Sequence, residues 1–158
     1  MKTWQNLPNT STPINADNLN RIPYCITAIR TNIETVESGN KVTLQTSISN
    51  GTGLVLEDGA IVVKDSSIKK VMVSAKVWYT SNASQVWLAI YKGNISQCEH
   101  IDQSGKTYYD ITIAPKIIEV SLNDKITIGV KGSNPSYEIS VNNGSSSETY
   151  LTVQEVEW

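Results

Sequence analysis

The chain has 158 residues, enough for one ordinary domain and an extension. Hydrophobic residues make up 39% and charged residues 18%, with a net charge of −2 and the two signs interspersed; this leaves no basic face for nucleic acid and no polybasic membrane patch. Cys25 and Cys98 stand far apart, which excludes a disulfide framework and a zinc-ligand spacing and suits two free thiols.

Residues 1–14 (MKTWQNLPNTSTPI) combine two prolines with a polar cluster and read as an extended arm. Trp4 and Leu7 are its apolar residues that would dock onto a larger particle. There is no apolar core of a signal peptide and no run long enough to span a membrane. The expectation is a protein made in a host cytoplasm that leaves only as part of a particle.

Leu19, Ile22, Ile26, Ile29, Ile33 and Val36 then recur at alternating spacings of three and four, the seam of a coiled coil. Leucine or isoleucine at a with isoleucine at d disfavours two strands and favours three or more. The pattern predicts a helical trimeric stalk over residues 15–39, with Asn15 as N-cap, Asp17 in the first turn and Gly39 past the end. Pro23 either kinks this helix or begins it, and the second outcome leaves Ile26, Ile29, Ile33 and Val36 as the seam. An amphipathic helix packed on its own domain gives the same stripe. Either stalk is too short to hold a trimer alone, so most of the association energy falls to the head.

From Lys41 onward the period changes to two. Val42, Leu44, Thr46 and Ile48 alternate with polar residues, and Asp58-Gly59 marks a hairpin between 54–56 and 60–64. Val71, Val73, Ala75 and Val77 share one face of a strand at 70–79. Val86, Leu88 and Ile90 oppose Trp87, Ala89 and Tyr91 on the next, at 85–91. Further strands read at about 95–101, 107–113, 117–122, 125–131, 137–141 and 149–158. Short strands punctuated by turns, with no second helical pattern, predict an all-β sandwich or jelly roll over residues 40–158. The fold class expected is mainly β, an N-terminal α-helical coiled-coil stalk followed by a jelly-roll β-sandwich, as a homotrimer.

The segment Thr3-Trp4-Gln5-Asn6-Leu7-Pro8, followed by Pro13-Ile14-Asn15-Ala16 and Leu19-Asn20, resembles the N-terminus of phage and prophage tail-fibre, baseplate and head-fibre proteins. The strands around Trp78 and Trp87, the stretch Val120–Val130 and the strand Tyr150-Leu151-Thr152-Val153 are similar to trimeric jelly-roll heads of the tumour necrosis factor and complement globular-head type. The resemblance implies a ten-strand sandwich, both termini at the base of a trimeric head and the last strand lining the threefold axis.

Trp87, Tyr91, Tyr150 and Trp158 are the aromatics expected at a subunit interface in the head, with a two-sided core inside one sandwich as the alternative. Asn82, Asn94, Asn134, Tyr137, Asn142 and Asn143 sit in polar turns and form a candidate receptor surface for a bacterial glycan, although such residues also simply make turns. Cys98, Glu99, His100 and Asp102 could be imagined as a cluster but read as ordinary strand residues, because His100 is the single histidine. No cofactor, metal or catalytic residue is expected, and the chain is not read as an enzyme. The function expected is a virion fibre head adhering to a bacterial surface, its partners being itself, other virion proteins and a glycan. The alternatives are a decorating knob on capsid or tail, or a polysaccharide-degrading enzyme.

Overall fold

The computed structural model describes residues 22–80, 84–102, 108–139 and 149–156, and every regular element among them is a strand. In chain order these are β1 (Cys25–Ile29), β2 (Glu34–Glu37), β3 (Lys41–Val42), β4 (Thr46–Ser49), β5 (Leu54–Glu57), β6 (Ala60–Val63) and β7 (Lys70–Thr80). There follow β8 (Val86–Lys92), β9 (Ile95–Asp102), β10 (Tyr108–Glu119), β11 (Lys125–Gly132), β12 (Ser136–Ile139) and β13 (Tyr150–Glu155).

The predicted stalk is not a helix where it is described: residues 25–29 and 34–37 are β1 and β2. The physical reason lies in the residue types. Ile26, Thr27, Ile29, Thr31, Ile33, Thr35 and Val36 are all β-branched, stiff at χ1 and better suited to a pleated surface than to a helix. A spacing of three, which keeps two residues on one helix face, puts them on opposite faces of a strand. Ile26 accordingly points into the core at 1% exposure, while Ile29 is half-buried on the outer side. Val36 is buried, and Ile22 and Ile33 are 75% and 57% exposed. Leu19 lies outside the described residues, as do Trp4 and Leu7 of the arm. Gly39 does adopt a positive φ of 93°, but it turns the chain from β2 to β3 instead of ending a helix.

Two antiparallel sheets pack face to face. In the seven-stranded sheet β2, β12, β7, β13, β1 and β4 are neighbours in that order, and β10 also pairs with β7. The registers explain the branching: β10 follows one edge of β7 from Lys70 to Thr80, while β13 and then β12 share the other. The six-stranded sheet runs β5-β6-β11-β8-β9, with β3 alongside β11. The strands expected at 107–113 and 117–122 are one strand, β10, whose register shifts between Ile113 and Lys116. Pro115 occupies that irregularity, where a residue without an N–H costs the ladder no bond.

The core lies between the sheets. Val71, Val73, Ala75 and Val77 from β7 and Leu151 and Val153 from β13, each 0% exposed, meet Leu88 and Ile90 from β8 and Ile126 and Ile128 from β11, also 0% exposed. The Asp58-Gly59 turn has φ of 49° and 76°, both positive as a two-residue hairpin requires.

Two polar knots pin the margins. Arg30, 6% exposed, donates from Nε to Asn32 O (2.7 Å) and from Nη1 to Thr43 O (2.6 Å), and pairs with Glu34 at 2.7 Å. At one pole of the sandwich, Tyr24 N donates to the Glu155 carboxylate (3.1 Å) and Glu155 N donates to Tyr24 O (2.7 Å), so the first and last described strands are joined side by side. The Tyr24 ring lies so close to Gly53 that a methyl group there would collide with it.

Candidate interaction site

Each sheet has an outward face, and the strand registers fix what stands on it. On the seven-stranded sheet one row runs Ile48, Thr27, Thr152, Ser74, and the next runs Thr46, Ile29, Tyr150, Lys76, Thr112. A third runs Cys25, Gln154, Met72, Ile117. Ile48 is 74% and Ile117 47% exposed, while Met72, Trp78 and Tyr150 are half-buried. Threonine hydroxyls pair across the middle, Thr27 Oγ1 to Thr152 Oγ1 at 2.9 Å. Among the described residues in the middle of this face, charge is confined to Lys76 and Asp110, joined at 3.0 Å. Threonines and serine alternate there with Met72, Trp78 and Tyr150, while Lys70, Glu119 and Glu138 share the outward parity toward the ends and flank of the sheet.

On the six-stranded sheet the outward residues of β8 are Trp87, Ala89 and Tyr91. Tyr91 lies over Gly129, where a Cβ would stand 2.9 Å from its ring. Lys41 Nζ is held 5.9 Å from the Tyr91 centroid and donates to Gly93 O (2.7 Å) and Asn94 Oδ1 (2.9 Å). Trp87, opposite Ile101 on β9 and Lys131 on β11, lines an open cleft with Ser38, Gly39, Lys131 and Gly132. Ser38 Oγ accepts from Gly132 N at 3.1 Å and fixes the rim. Lys131 Nζ reaches across β8, above the buried Ala89, to Glu99 Oε1 at 3.1 Å. That hydrogen bond holds the Glu99 carboxyl below the usual carboxylate range. Burial pushes the Cys98 thiol up, against the opposing pull of Lys116.

The sequence-predicted interface aromatics do not come together. Tyr150 faces outward from the seven-stranded sheet and Trp87 and Tyr91 from the six-stranded one; Trp158 lies outside the described residues. The reason is topological: parity along a strand fixes its face, while strand order decides which sheet that face belongs to. The receptor-surface candidates separate as well. Asn94 is exposed in the β8–β9 turn, and Asn134 lies at the other end of β8, beside Gln85 and Ser133. Tyr137 is not on the surface at all. It is 1% exposed, meets Tyr79 edge-on with ring centroids 6.3 Å apart, and accepts a hydrogen bond from Asn134 N at 3.0 Å. Asn82, Asn142 and Asn143 lie outside the described residues. Cys98 packs against the core while Glu99 and His100 are exposed, and no group of three or more His, Cys, Asp or Glu among the described residues could hold a metal ion. Sequence reasoning missed the cleft residues Ser38, Gly39 and Gly132; Gly39 read only as the residue past the end of a helix.

The fold has close counterparts among solved structures. The crystal structure of murine APRIL at pH 8.5 superimposes with a TM-score of 0.66 at 14% identity, covering 85% of this chain and 100% of that one. The same protein at pH 5.0 gives a TM-score of 0.67 at 14% identity with the same coverage. Eiger TNF from S. frugiperda gives 0.65 at 7% identity, covering 85% of this chain and 92% of that one. No family model and no curated protein matches the chain. At these identities the likeness is one of architecture: a TNF-like jelly-roll sandwich.

Proposed function

We propose that this TNF-like jelly roll is the self-associating head of a phage fibre, three copies packing through the outward face of the seven-stranded sheet, and that the trimer adheres to a glycan on a bacterial surface. The observation that carries the reading is that face: Thr27, Met72, Tyr150 and Thr152 stand together in its middle, where the charges Lys76 and Asp110 are paired with each other, a surface of the kind a second copy covers. The last strand, β13, runs through its middle, as the resemblance to trimeric jelly-roll heads implies. Without a helical seam in residues 22–39, the association energy comes from the head itself. The opening segment Thr3–Asn20 supports a place on a virion, with Trp4 and Leu7 as the docking residues, and three copies would turn weak single-site contacts into useful avidity.

Sedimentation equilibrium at micromolar concentration tests the assembly. The expected result is a trimer that Met72→Arg converts to a folded monomer, because three guanidinium groups would have to be buried unpaired. A monomeric native chain would overturn the reading. Adhesion is tested by binding to intact bacterial cells before and after periodate oxidation of vicinal diols; binding lost on oxidation is expected, and binding unchanged by it would refute a glycan receptor.

A further inference from the structure

We propose that the cleft beside Trp87 is a saccharide subsite taking one neutral hexose ring, stacked by its apolar face on the indole with its hydroxyls on Lys131 and Ser38. The proposal rests on the reading of the head as an adhesin and assigns the receptor contact to a place that reading did not. Of the two outward aromatics on β8, Tyr91 already has its ring against Gly129 and under Lys41. Trp87 instead forms a wall of an open cleft. Gly39 lines the same cleft without a side chain, and the space its Cβ would take is open, with nothing within 4 Å.

The polar side of the cleft matches a sugar in kind. Lys131 lines the cleft and offers N–H donors, the Ser38 hydroxyl lines it too, and the Lys131 charge is balanced by the Glu99 carboxylate 3.1 Å away on β9, outside the lining. A hydroxyl both donates and accepts, so adjacent hydroxyls of a pyranose can accept from Lys131 and donate to the Ser38 Oγ that lines the same cleft. Because the Lys131–Glu99 pair is neutral as a unit, the subsite favours an uncharged ring over a uronate or an amino sugar. An indole face against the C–H face of the ring supplies the apolar contact. One ring buries little surface, so each subsite binds weakly, with a Kd of about millimolar, and the trimer multiplies it.

Saturation-transfer difference NMR on the full chain tests this with glucose, galactose and N-acetylglucosamine as neutral probes and glucuronate as the charged comparison. The expected result is transfer to ring protons of at least one neutral probe, weaker for glucuronate. It should fall at least tenfold in Trp87→Ala and in Gly39→Asn and be unchanged in Asn94→Ala at the far end of β8. Gly39→Asn retains the indole and a residue that tolerates positive φ, so a loss there reports a blocked cleft, with thermal melting confirming the fold. No transfer to any neutral probe, or transfer that survives both cleft substitutions, would overturn the subsite. Cell binding that persists in folded Trp87→Ala trimers would overturn the assignment of the receptor contact to this cleft and leave the adhesin reading standing. Sugar transfer at Trp87 without binding to cells would uphold the subsite and remove the adhesin.

Discussion

Arg30 ties the β1–β2 loop to the β3–β4 loop with one guanidinium, spending its donors on Asn32 O, Thr43 O and the Glu34 carboxylate. Thr43 returns the contact, donating from N and Oγ1 to Glu34 at 3.2 Å each. Removing the cation leaves two carbonyls and a carboxylate short of a donor at a site 6% exposed. Arg30→Met should therefore lower stability by about 2–4 kcal/mol, read as a shifted urea midpoint with an unchanged slope. This residue also shows why the sequence misleads locally. An arginine and a glutamate four apart suit a turn of helix, yet here the same spacing bridges a loop between two strands. Gly39 carries a similar lesson. The need for positive φ is readable from the glycine, but not whether a helix or a hairpin demands it.

At the scale of strands, the alternation from Lys70 to Tyr79 and from Val86 to Tyr91 was legible because both strands are buried on one face, so parity and burial agree. The segment from Cys25 to Glu37 was not. Its apolar spacing satisfies a heptad, and only its β-branched content and the proline before it argue for strands, a weaker local signal that tertiary pairing with β13 and β12 settles. The join of two expected strands into β10 was hidden by Pro115, a breaker in isolation but tolerable at a register shift. Lys131 and Glu99 staple β11 to β9 across β8, and the pair makes a pH-dependent contribution with a definite sign. The folded carboxyl titrates below its ordinary value of 4.5, so the contribution is present above the unfolded value and is lost as pH falls through the folded one. The stability difference between native protein and Glu99→Gln, from urea midpoints, should accordingly be constant near neutrality and shrink below about pH 4.5. A difference that grows on acidification would contradict the pairing.

At the scale of the whole molecule, the sandwich class was readable from strand spacing, whereas the assignment of faces was not. No single-strand pattern says that Tyr150 and Trp87 belong to opposite sheets, because that depends on pairings between residues far apart in sequence. The cleft beside Trp87 was hidden for the same reason, its walls coming from the β2–β3 turn, β8 and β11. The pairing of Tyr24 with Glu155 has a mechanical consequence. Traction applied between those two residues acts at a single pole and peels β1 from β13 rung by rung, each bond bearing the load alone. Traction between Tyr24 and the Trp87 end of β8, at the opposite pole, draws the same ladder lengthwise, and its rungs share the strain. A head anchored through its first strand and gripped at that far pole would hold under tension that would unzip it if both grips were at the anchored pole.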